Sequence, residues 1–356
     1  MTTQITTTLA IVLLTLTTAC QYFESDNKRL PYNSDTASLP PPDSTWPQYG
    51  NTPGGDRYSS LDQINRGNVA DLEVAWVYQA GELEAILNEE QPFNPWQSTP
   101  LLIVDNLIAC TPTGRILALD AVTGEEQWTF DPDVSFTSFG HSFVKCRGVS
   151  SYVNPDKAAA ELCQTSIVWG TADLRAFSLD ARTGKPCPEF GAAAGTPGQV
   201  QFDAGSKLDF ADEVQIHSPP AMSGHVAVFG STLADMLRTE APSGMVRAID
   251  ARSGELLWTF DPVPRDDNDP AASSWGEGSN QWVGAGNAWS FLSADPANNL
   301  IFVPTTSPSA DLVGHYRPGD NRYTNSLVAL DAETGQVRWY YQFVHHDLWD
   351  YDLPAQ

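Results

Sequence analysis

The chain has 356 residues, of which 41% are hydrophobic, and a formal net charge of −25. This length is enough for a large hydrophobic core, and the 26 Gly and 26 Pro residues indicate many turns, as expected of an all-β repeat fold. The strong negative charge disfavours nucleic acid and anionic membrane surfaces as partners.

Residues 1–20 have the features of an export signal. The apolar run at residues 9–14 is too short to span a bilayer, and a small residue directly precedes Cys20. This ending resembles the bacterial lipoprotein box, which implies a lipid on Cys20 after cleavage. The polar, Pro-rich residues 21–43 predict a tether, and residues 44–356 predict the folded domain. We expect a protein of the periplasm or cell envelope whose only membrane contact is the lipid anchor.

Four further cysteines follow the signal, and an oxidising compartment permits disulfides between them. Their positions allow three pairings, and the sequence does not choose among these. One lies in an apolar, strand-like run and is expected to be a buried free thiol, namely Cys110. The chain contains no Cys-x-x-Cys pair, which argues against a metal site built from cysteines. The cysteines are Cys110, Cys146, Cys163 and Cys187.

Four segments of the chain repeat one pattern, an apolar pair followed by Asp-Ala-x-Thr-Gly or its Ser variant. The Asp and Thr side chains can bond the local backbone while Gly supplies a positive φ, so each segment predicts a tight turn after a strand. A large aromatic residue follows and would pack between sheets. Radial repetition of four-stranded sheets predicts a β-propeller, with a continuous sandwich as the competing architecture. The repeated positions are Asp120, Asp180, Asp250 and Asp331, followed by Trp128, Phe190, Trp258 and Trp339.

The repeat resembles the tryptophan-docking motif of eight-bladed quinoprotein propellers. The entry to the domain, with Trp46, Tyr49, Asn65 and Trp76 at their intervals, is similar to the N-terminal signature of dehydrogenases that use pyrroloquinoline quinone (PQQ). The resemblance implies an all-β, eight-bladed β-propeller of the quinoprotein type. Because the sequence stops at Gln356, we expect the propeller to be incomplete, truncated at its C-terminal side, and the fragment to be inactive alone.

The run from Cys146 to Tyr152 is similar to a segment of membrane-bound glucose dehydrogenases in which an Arg faces the carboxylates of PQQ. The resemblance gives this role to Arg147, and a tricarboxylate does require bidentate cationic donors. Without that context, a lone Arg is most often a solvated surface residue. The glucose branch has a His four residues before this Arg, where the chain has Phe143. Whether the nearby His141 caps the cofactor ring is left open, as is glucose specificity.

The run His345-His346-Asp347-Leu348-Trp349-Asp350 closely resembles the catalytic segment of the family. The Asp after Trp is the general base there, which implies that Asp350 takes the alcohol proton as hydride leaves carbon. Asp352 would add a second charge at the metal ion; in some relatives an Asp at that place marks lanthanide use. A transition-metal site in the His-His-Asp run is the alternative interpretation.

Weaker matches complete the expected site. The resemblance places Trp289 under the quinone ring, although a propeller-core Trp is the plainer interpretation, and it places Thr232 and Gln97 close to the cofactor. Asp235 and Ser307 fall at or near positions of the family's ligands to a divalent cation, and oxygen donors favour Ca²⁺ or Mg²⁺.

These features together predict a PQQ-dependent dehydrogenase that oxidises a sugar, polyol or other alcohol, with ubiquinone or a cytochrome as electron acceptor. The sequence does not identify the substrate. The alternative is a non-enzymatic propeller lipoprotein that serves as a scaffold in outer-membrane protein assembly. Such a scaffold needs the repeat and the anchor but not Arg147, Trp289 or Asp350.

Overall fold

The computed structural model describes residues 45–82, 95–134, 144–203, 213–234 and 238–353. Within these ranges the chain forms four antiparallel sheets of four strands each and one two-stranded ribbon. The first sheet contains β1 (Leu101–Ile103), β2 (Asn106–Cys110), β3 (Ile116–Asp120) and β4 (Glu126–Phe130), and the second contains β5 (Ser150–Val153), β6 (Thr165–Gly170), β7 (Arg175–Asp180) and β8 (Gln199–Gln201).

The third sheet contains β10 (Ala221–Ser223), β11 (Val226–Phe229), β13 (Val246–Asp250) and β14 (Leu256–Phe260), and the fourth contains β15 (Ser293–Asp295), β16 (Leu300–Pro304), β17 (Ser326–Asp331) and β18 (Val337–Gln342). The ribbon pairs β9 (Val214–Gln215) with β12 (Thr232–Leu233). Short 3₁₀ helices lie at Val69–Asp71, Ala192–Ala194, Ala272–Ser274, Gly276–Gln281 and Gly314–Tyr316. The first strands of the last three sheets lie side by side, with β10 between β5 and β15.

The predicted turn joins the third and fourth strands of every sheet. In the first sheet, the Oδ1 atom of Asp120 accepts hydrogen bonds from the backbone N–H of Val122 at 2.9 Å and of Thr123 at 2.7 Å. It also accepts one from the Thr123 hydroxyl at 3.0 Å. The turn ends at Gly124, whose φ of +73° is a conformation that glycine adopts without steric cost. The second and fourth sheets repeat this arrangement, and in the third Asp250 bonds Arg252 instead.

The aromatic residue after one turn packs on the glycine of the next sheet's turn. A Cβ atom added to Gly184 would lie 2.5 Å from Cε3 of Trp128, and one added to Gly335 would lie 2.6 Å from Cδ2 of Trp258. Phe190 takes the same place in the second repeat and is fully buried. The structure therefore confirms the predicted role of the repeat, in which an aromatic residue fixes each sheet to the following one.

Three hydrophobic clusters form most of the core, and each is shared by two consecutive sheets. Between the first and second sheets, the ring of Phe130 from β4 lies edge-on to that of the fully buried Trp169 from β6, with ring centroids 5.8 Å apart. Burying a large apolar side chain contributes about 1.5–3 kcal/mol. Apolar packing therefore adds to the aromatic–glycine contacts in holding the sheets together.

Both disulfides of the structure involve the four cysteines beyond the signal, pairing Cys110 with Cys146 and Cys163 with Cys187. The prediction of a free thiol at Cys110 was wrong, because this cysteine is disulfide-bonded. Cys110 is buried at the end of β2, as its apolar neighbours indicated, but Cys146 lies in the same hydrophobic cluster. A local sequence run shows that a sulfur is buried and does not show which sulfur it meets.

No helix among the described residues is both long and apolar enough to cross a membrane. The export signal at 1–20, Cys20 and the tether at 21–43 lie outside the described residues.

Candidate active site

Three segments of the chain meet where they enter the first strands of their sheets. Arg147 comes just before β5, Ser218 just before β10, and Trp289 just before β15. Because these strands lie side by side, the segments that lead into them converge. The sequence matches around Arg147 and Trp289 are thereby brought into direct contact.

Arg147 is a buried cation, with 9% of its surface exposed. Its Nη1 atom donates to the carbonyl oxygen of Trp289 at 3.1 Å and to the hydroxyl of Ser218 at 3.5 Å, and its guanidinium lies 4.9 Å from the centre of the Trp289 ring. Burial lowers the pKa of Arg147 to about 10, so the group stays protonated at neutral pH. Among the described residues no carboxylate forms an ion pair with it. A buried, unpaired positive charge favours an anionic ligand.

Trp289 connects this cation to the C-terminal carboxylates. Its indole Nε1 donates to Oδ2 of Asp352 at 2.7 Å, and its carbonyl accepts a second hydrogen bond, from Ser218, at 2.8 Å. Arg147, Trp289 and Asp352 thus form one continuous chain of contacts.

The ribbon of β9 and β12 adds a buried polar surface beside Arg147. Gln215 and Thr232 are directly opposite each other in the ribbon, so their side chains share one face. The Gln215 side chain also forms a hydrogen bond with the ring of His217. The backbone carbonyl of His217 in turn accepts a hydrogen bond from the backbone N–H of Arg147 at 2.8 Å. Three atoms here are buried and have no hydrogen-bond partner within the described part of the chain: Nε2 of Gln215, Nδ1 of His217 and Oγ1 of Thr232. An unpaired buried polar group costs about 1–3 kcal/mol, so these atoms favour a bound polar ligand.

Gln215 and His217 had not been predicted as site residues. Their signal was the alternation of apolar and polar residues from Val214 to His217, which is typical of a strand with one polar face. Burial, followed by the charges of Arg147 and Lys145, holds the pKa of His217 well below its ordinary value. The imidazole is therefore neutral and can either donate or accept a hydrogen bond.

The C-terminal segment after β18 contains a buried carboxylate that is fully hydrogen-bonded. Asp347 is 1% exposed, and its Oδ2 atom accepts from the backbone N–H of Tyr351 at 2.6 Å, from Nδ2 of Asn325 at 3.2 Å and from the hydroxyl of Ser307. Its Oδ1 atom accepts from the N–H of Trp349 at 3.1 Å. Burial raises the pKa of Asp347, but these hydrogen bonds outweigh it, and the net pKa is lowered.

In contrast to Asp347, the carboxyl groups of Asp350 and Asp352 have raised pKa values. Burial, and then the charge of Asp347, raise the pKa of Asp350. Burial is also the main cause that raises the pKa of Asp352 to about 6, with the charge of Asp350 adding to it and the bond from Trp289 opposing it. Each of these two carboxyl groups thus has its pKa raised by burial and by a neighbouring negative charge, which favours a cation beside them.

If this region binds a metal ion, the ligands that it offers are oxygen atoms. Ser307, like Asp352, lies in this region, although its hydroxyl donates to Asp347. Among the described residues no group of three or more His, Cys, Asp or Glu side chains has the arrangement of a metal site. Asp235, the other expected carboxylate ligand, lies outside them, and so does His141.

The remaining predicted residues lie apart from these contacts. Gln97 is exposed, and no described hydrogen bond joins it to Arg147, Trp289 or Asp352. In the His-His pair, His345 lies 3.8 Å from a carboxylate oxygen of Asp320, and the ring of His346 bonds the carbonyl of Gly319 at 2.9 Å.

Comparison with known proteins identifies the relatives of the chain. The family model described as "PQQ: Glucose/ethanol/alcohol dehydrogenase, beta-propeller domain" matches residues 46–356. The chain is 35% identical over 327 residues to quinoprotein glucose dehydrogenase A of Acinetobacter calcoaceticus, covering 88% of this chain and 39% of that protein. It is 34% identical over 328 residues to the quinate/shikimate dehydrogenase (quinone) of Acinetobacter baylyi, covering 87% and 39%. It is 32% identical over 335 residues to the glycerol dehydrogenase large subunit of Gluconobacter oxydans, covering 93% and 43%. The chain therefore spans less than half the length of these relatives.

Solved structures with the same fold include the quinohemoprotein alcohol dehydrogenase of Comamonas testosteroni. That structure matches with a TM-score of 0.69 at 28% identity, covering 86% of this chain and 42% of the other. A europium-containing methanol dehydrogenase matches with a TM-score of 0.68 at 22% identity, covering 88% and 51%, which bears on the fold alone. The four described sheets thus belong to an all-β fold of the propeller type.

Proposed function

This chain belongs to the family of PQQ-dependent glucose, ethanol and alcohol dehydrogenases, and from that premise we propose that it binds PQQ and oxidises a sugar, polyol or other alcohol. The observation that carries the proposal is the chain of contacts from Arg147 through Trp289 to Asp352. The relatives named for glucose, quinate and glycerol support polyhydroxy compounds as the substrate class.

The cofactor pocket is proposed to form around Trp289, whose flat indole would stack on a flat ring. The Arg147 guanidinium would pair with carboxylates of the cofactor, since a planar fork matches a carboxylate with two hydrogen bonds. The unpaired atoms of Gln215, His217 and Thr232 would bond further oxygens of the same ligand. We also propose His141 and Gln97 as contacts, from the resemblance alone.

The reaction would divide its tasks among the C-terminal carboxylates. When bound, PQQ accepts the hydride, and a Ca²⁺ or Mg²⁺ ion polarises its reactive carbonyl. Asp350 would take the proton from the substrate hydroxyl, and its raised pKa makes it a stronger base. Asp352, Ser307 and Asp235 would supply oxygen ligands to the ion.

We further propose the wider setting of this chemistry. The repeat supports an eight-bladed propeller to which the described sheets contribute four blades. Residues 1–20 would direct export and Cys20 would carry a lipid in the periplasm or cell envelope, with 21–43 as the tether. Ubiquinone or a cytochrome would accept the electrons. The scaffold alternative is not favoured, because the matched family and the relatives named above are dehydrogenases.

A PQQ titration followed by quinone absorbance tests the proposal. Saturable binding is expected, and Arg147→Ala should weaken it at least about tenfold, because a charge-assisted hydrogen bond is worth roughly 1.5–3 kcal/mol. Arg247→Ala is the matched control: Arg247 is also buried and lies over an aromatic ring, that of Phe202, at 5.9 Å. Absence of saturable binding, or equal loss in both variants, would contradict the proposed site.

A further inference from the structure

The backbone around Asp350 adopts a conformation that ordinary residues avoid. Residues 343–353 follow β18 without regular secondary structure, and Asp350 has a φ of +57°. A left-handed conformation at a residue other than glycine is strained and persists where the surrounding structure imposes it. The contacts of this segment therefore show what holds Asp350 in place.

The carboxylate of Asp347 accepts hydrogen bonds from the backbone N–H groups of the residues before and after Asp350. Its Oδ1 atom accepts from the N–H of Trp349 and its Oδ2 atom from the N–H of Tyr351. Asp350 stands between these two residues, so its backbone is fixed at both ends. We call residues 347–351, closed by the Asp347 carboxylate, the Asp347 turn.

Two buried side chains hold the Asp347 turn from outside. Nδ2 of Asn325 donates to Oδ2 of Asp347 at 3.2 Å and to the carbonyl of Tyr351 at 3.0 Å, and so connects the start of the turn to its end. Arg317, which is fully buried, donates from Nη2 to the carbonyl of Asp347 and to that of Asp311 at 3.1 Å.

The turn divides the available hydrogen-bond donors unequally between two carboxylates. Asp347 accepts from two backbone N–H groups and two side chains, whereas no described hydrogen bond reaches the carboxylate of Asp350. The N–H groups of Trp349 and Tyr351, the residues before and after Asp350, are occupied by Asp347. The Asp350 carboxylate is thereby left with its acceptor capacity intact for a hydroxyl group that enters the site.

We propose that Asp347 is a positioning residue, supported by Asn325 and Arg317, which holds Asp350 in its left-handed conformation and keeps neighbouring amides away from its carboxylate. This inference rests on the proposed function of Asp350 as the base. Asp347 itself does not touch the substrate in this arrangement, because it is 1% exposed and both of its carboxylate oxygens accept hydrogen bonds from the protein.

The first test measures the turn directly and needs no cofactor. Hydrogen exchange of peptides that contain the Trp349 and Tyr351 amides is compared between the unsubstituted protein and Asp347→Asn, which keeps the shape but replaces one acceptor oxygen by an amide. Exchange should become at least about tenfold faster, because a lost hydrogen bond of about 1.4 kcal/mol changes local opening by that factor. Asn325→Ala serves as a second variant and should act in the same direction.

The second test measures turnover in the holoenzyme reconstituted with PQQ and Ca²⁺. Asp347→Asn should lower kcat by about 30-fold or more, while KM for the alcohol and the Kd for PQQ stay within about threefold, because only the base is misplaced. Asp120→Asn is the matched control. The Asp120 carboxylate also closes a turn by accepting two backbone N–H hydrogen bonds, but in a repeat turn far from the site. This control substitution should lower the free energy of unfolding of the protein and leave kcat unchanged.

The outcomes separate this inference from the proposed function. Unchanged hydrogen exchange would overturn the Asp347 turn, and faster exchange with unchanged kcat would overturn the positioning role. If the full-length unsubstituted protein neither binds PQQ nor turns over an alcohol, the proposed function fails, and the positioning role fails with it. The exchange result would in that case still report whether the turn exists.

Discussion

The contact between Gly335 and Trp258 provides a quantitative test of how the sheets are joined. Gly335 has a φ of +69°, and a Cβ atom added to it would lie 2.6 Å from Cδ2 and Cε3 of Trp258. The indole has little room to move, because it is 8% exposed and its Nε1 donates to the carbonyl of Ala332 at 2.8 Å. In Gly335→Ala, the left-handed backbone costs about 1–2 kcal/mol and overpacking costs about 1–3 kcal/mol. Together they lower the free energy of unfolding by roughly 2–5 kcal/mol.

Gly195→Ala is the matched control for this substitution. Gly195 has a φ of +75°, and a Cβ atom there would meet nothing within 4 Å, so only the backbone cost of about 1–2 kcal/mol applies. Both substitutions restrict the unfolded chain equally, and that effect cancels in the difference. Urea unfolding followed by circular dichroism should therefore show Gly335→Ala to be less stable than Gly195→Ala by about 1–3 kcal/mol. Equal losses in the two variants would refute the docking of Trp258 on Gly335.

Two further predictions concern carboxylates. Burial acts to raise the pKa of Asp331, but hydrogen bonds from Thr334 and Arg338 lower it below the ordinary value of 3.8. The contribution of this carboxylate to the free energy of unfolding is therefore present above about pH 4 and is lost as the pH falls through the folded-state pKa. Between pH 5 and pH 3, the unsubstituted protein should therefore lose more stability than Asp331→Asn. The urea midpoints of the two proteins at each pH measure this difference. Removal of divalent cations by EDTA should abolish turnover, and Asp352→Asn should need about 10–100-fold more Ca²⁺ for recovery, measured as activity against free Ca²⁺. Recovery at unchanged Ca²⁺ would remove Asp352 from the ligand set.

The repeat could be predicted from the sequence because its interactions are local. The Asp, Thr and Gly of each turn lie within five residues, so their spacing specifies the hydrogen bonds that close the turn. The aromatic residue follows at a nearly constant distance, and even the exceptional Phe190 could be assigned from its position. The structure confirms the turns and the packing of Trp128, Phe190 and Trp258 on the next sheet, whereas Trp339 is 44% exposed.

The contacts between distant segments could not be predicted in the same way. Family resemblance singled out Arg147, Trp289 and Asp352 separately, but the bonds that join them depend on how three sheets are placed. The disulfide partner of Cys110 and the proximity of Gln215 and His217 to Arg147 were missed for that reason. Ser307 meets Asp347 across 40 residues of sequence, and only the folded chain shows this bond.

The disulfide between Cys110 and Cys146 has a consequence for the order of maturation. Cys146 immediately precedes Arg147, so the covalent bond fixes the backbone of this buried cation to the end of β2. A newly made chain in a reducing compartment carries two separate thiols at these positions and lacks that constraint. If PQQ binds at Arg147 as proposed, we expect oxidation of these two thiols to precede efficient cofactor loading, so that the redox state of the compartment limits the yield of holoenzyme.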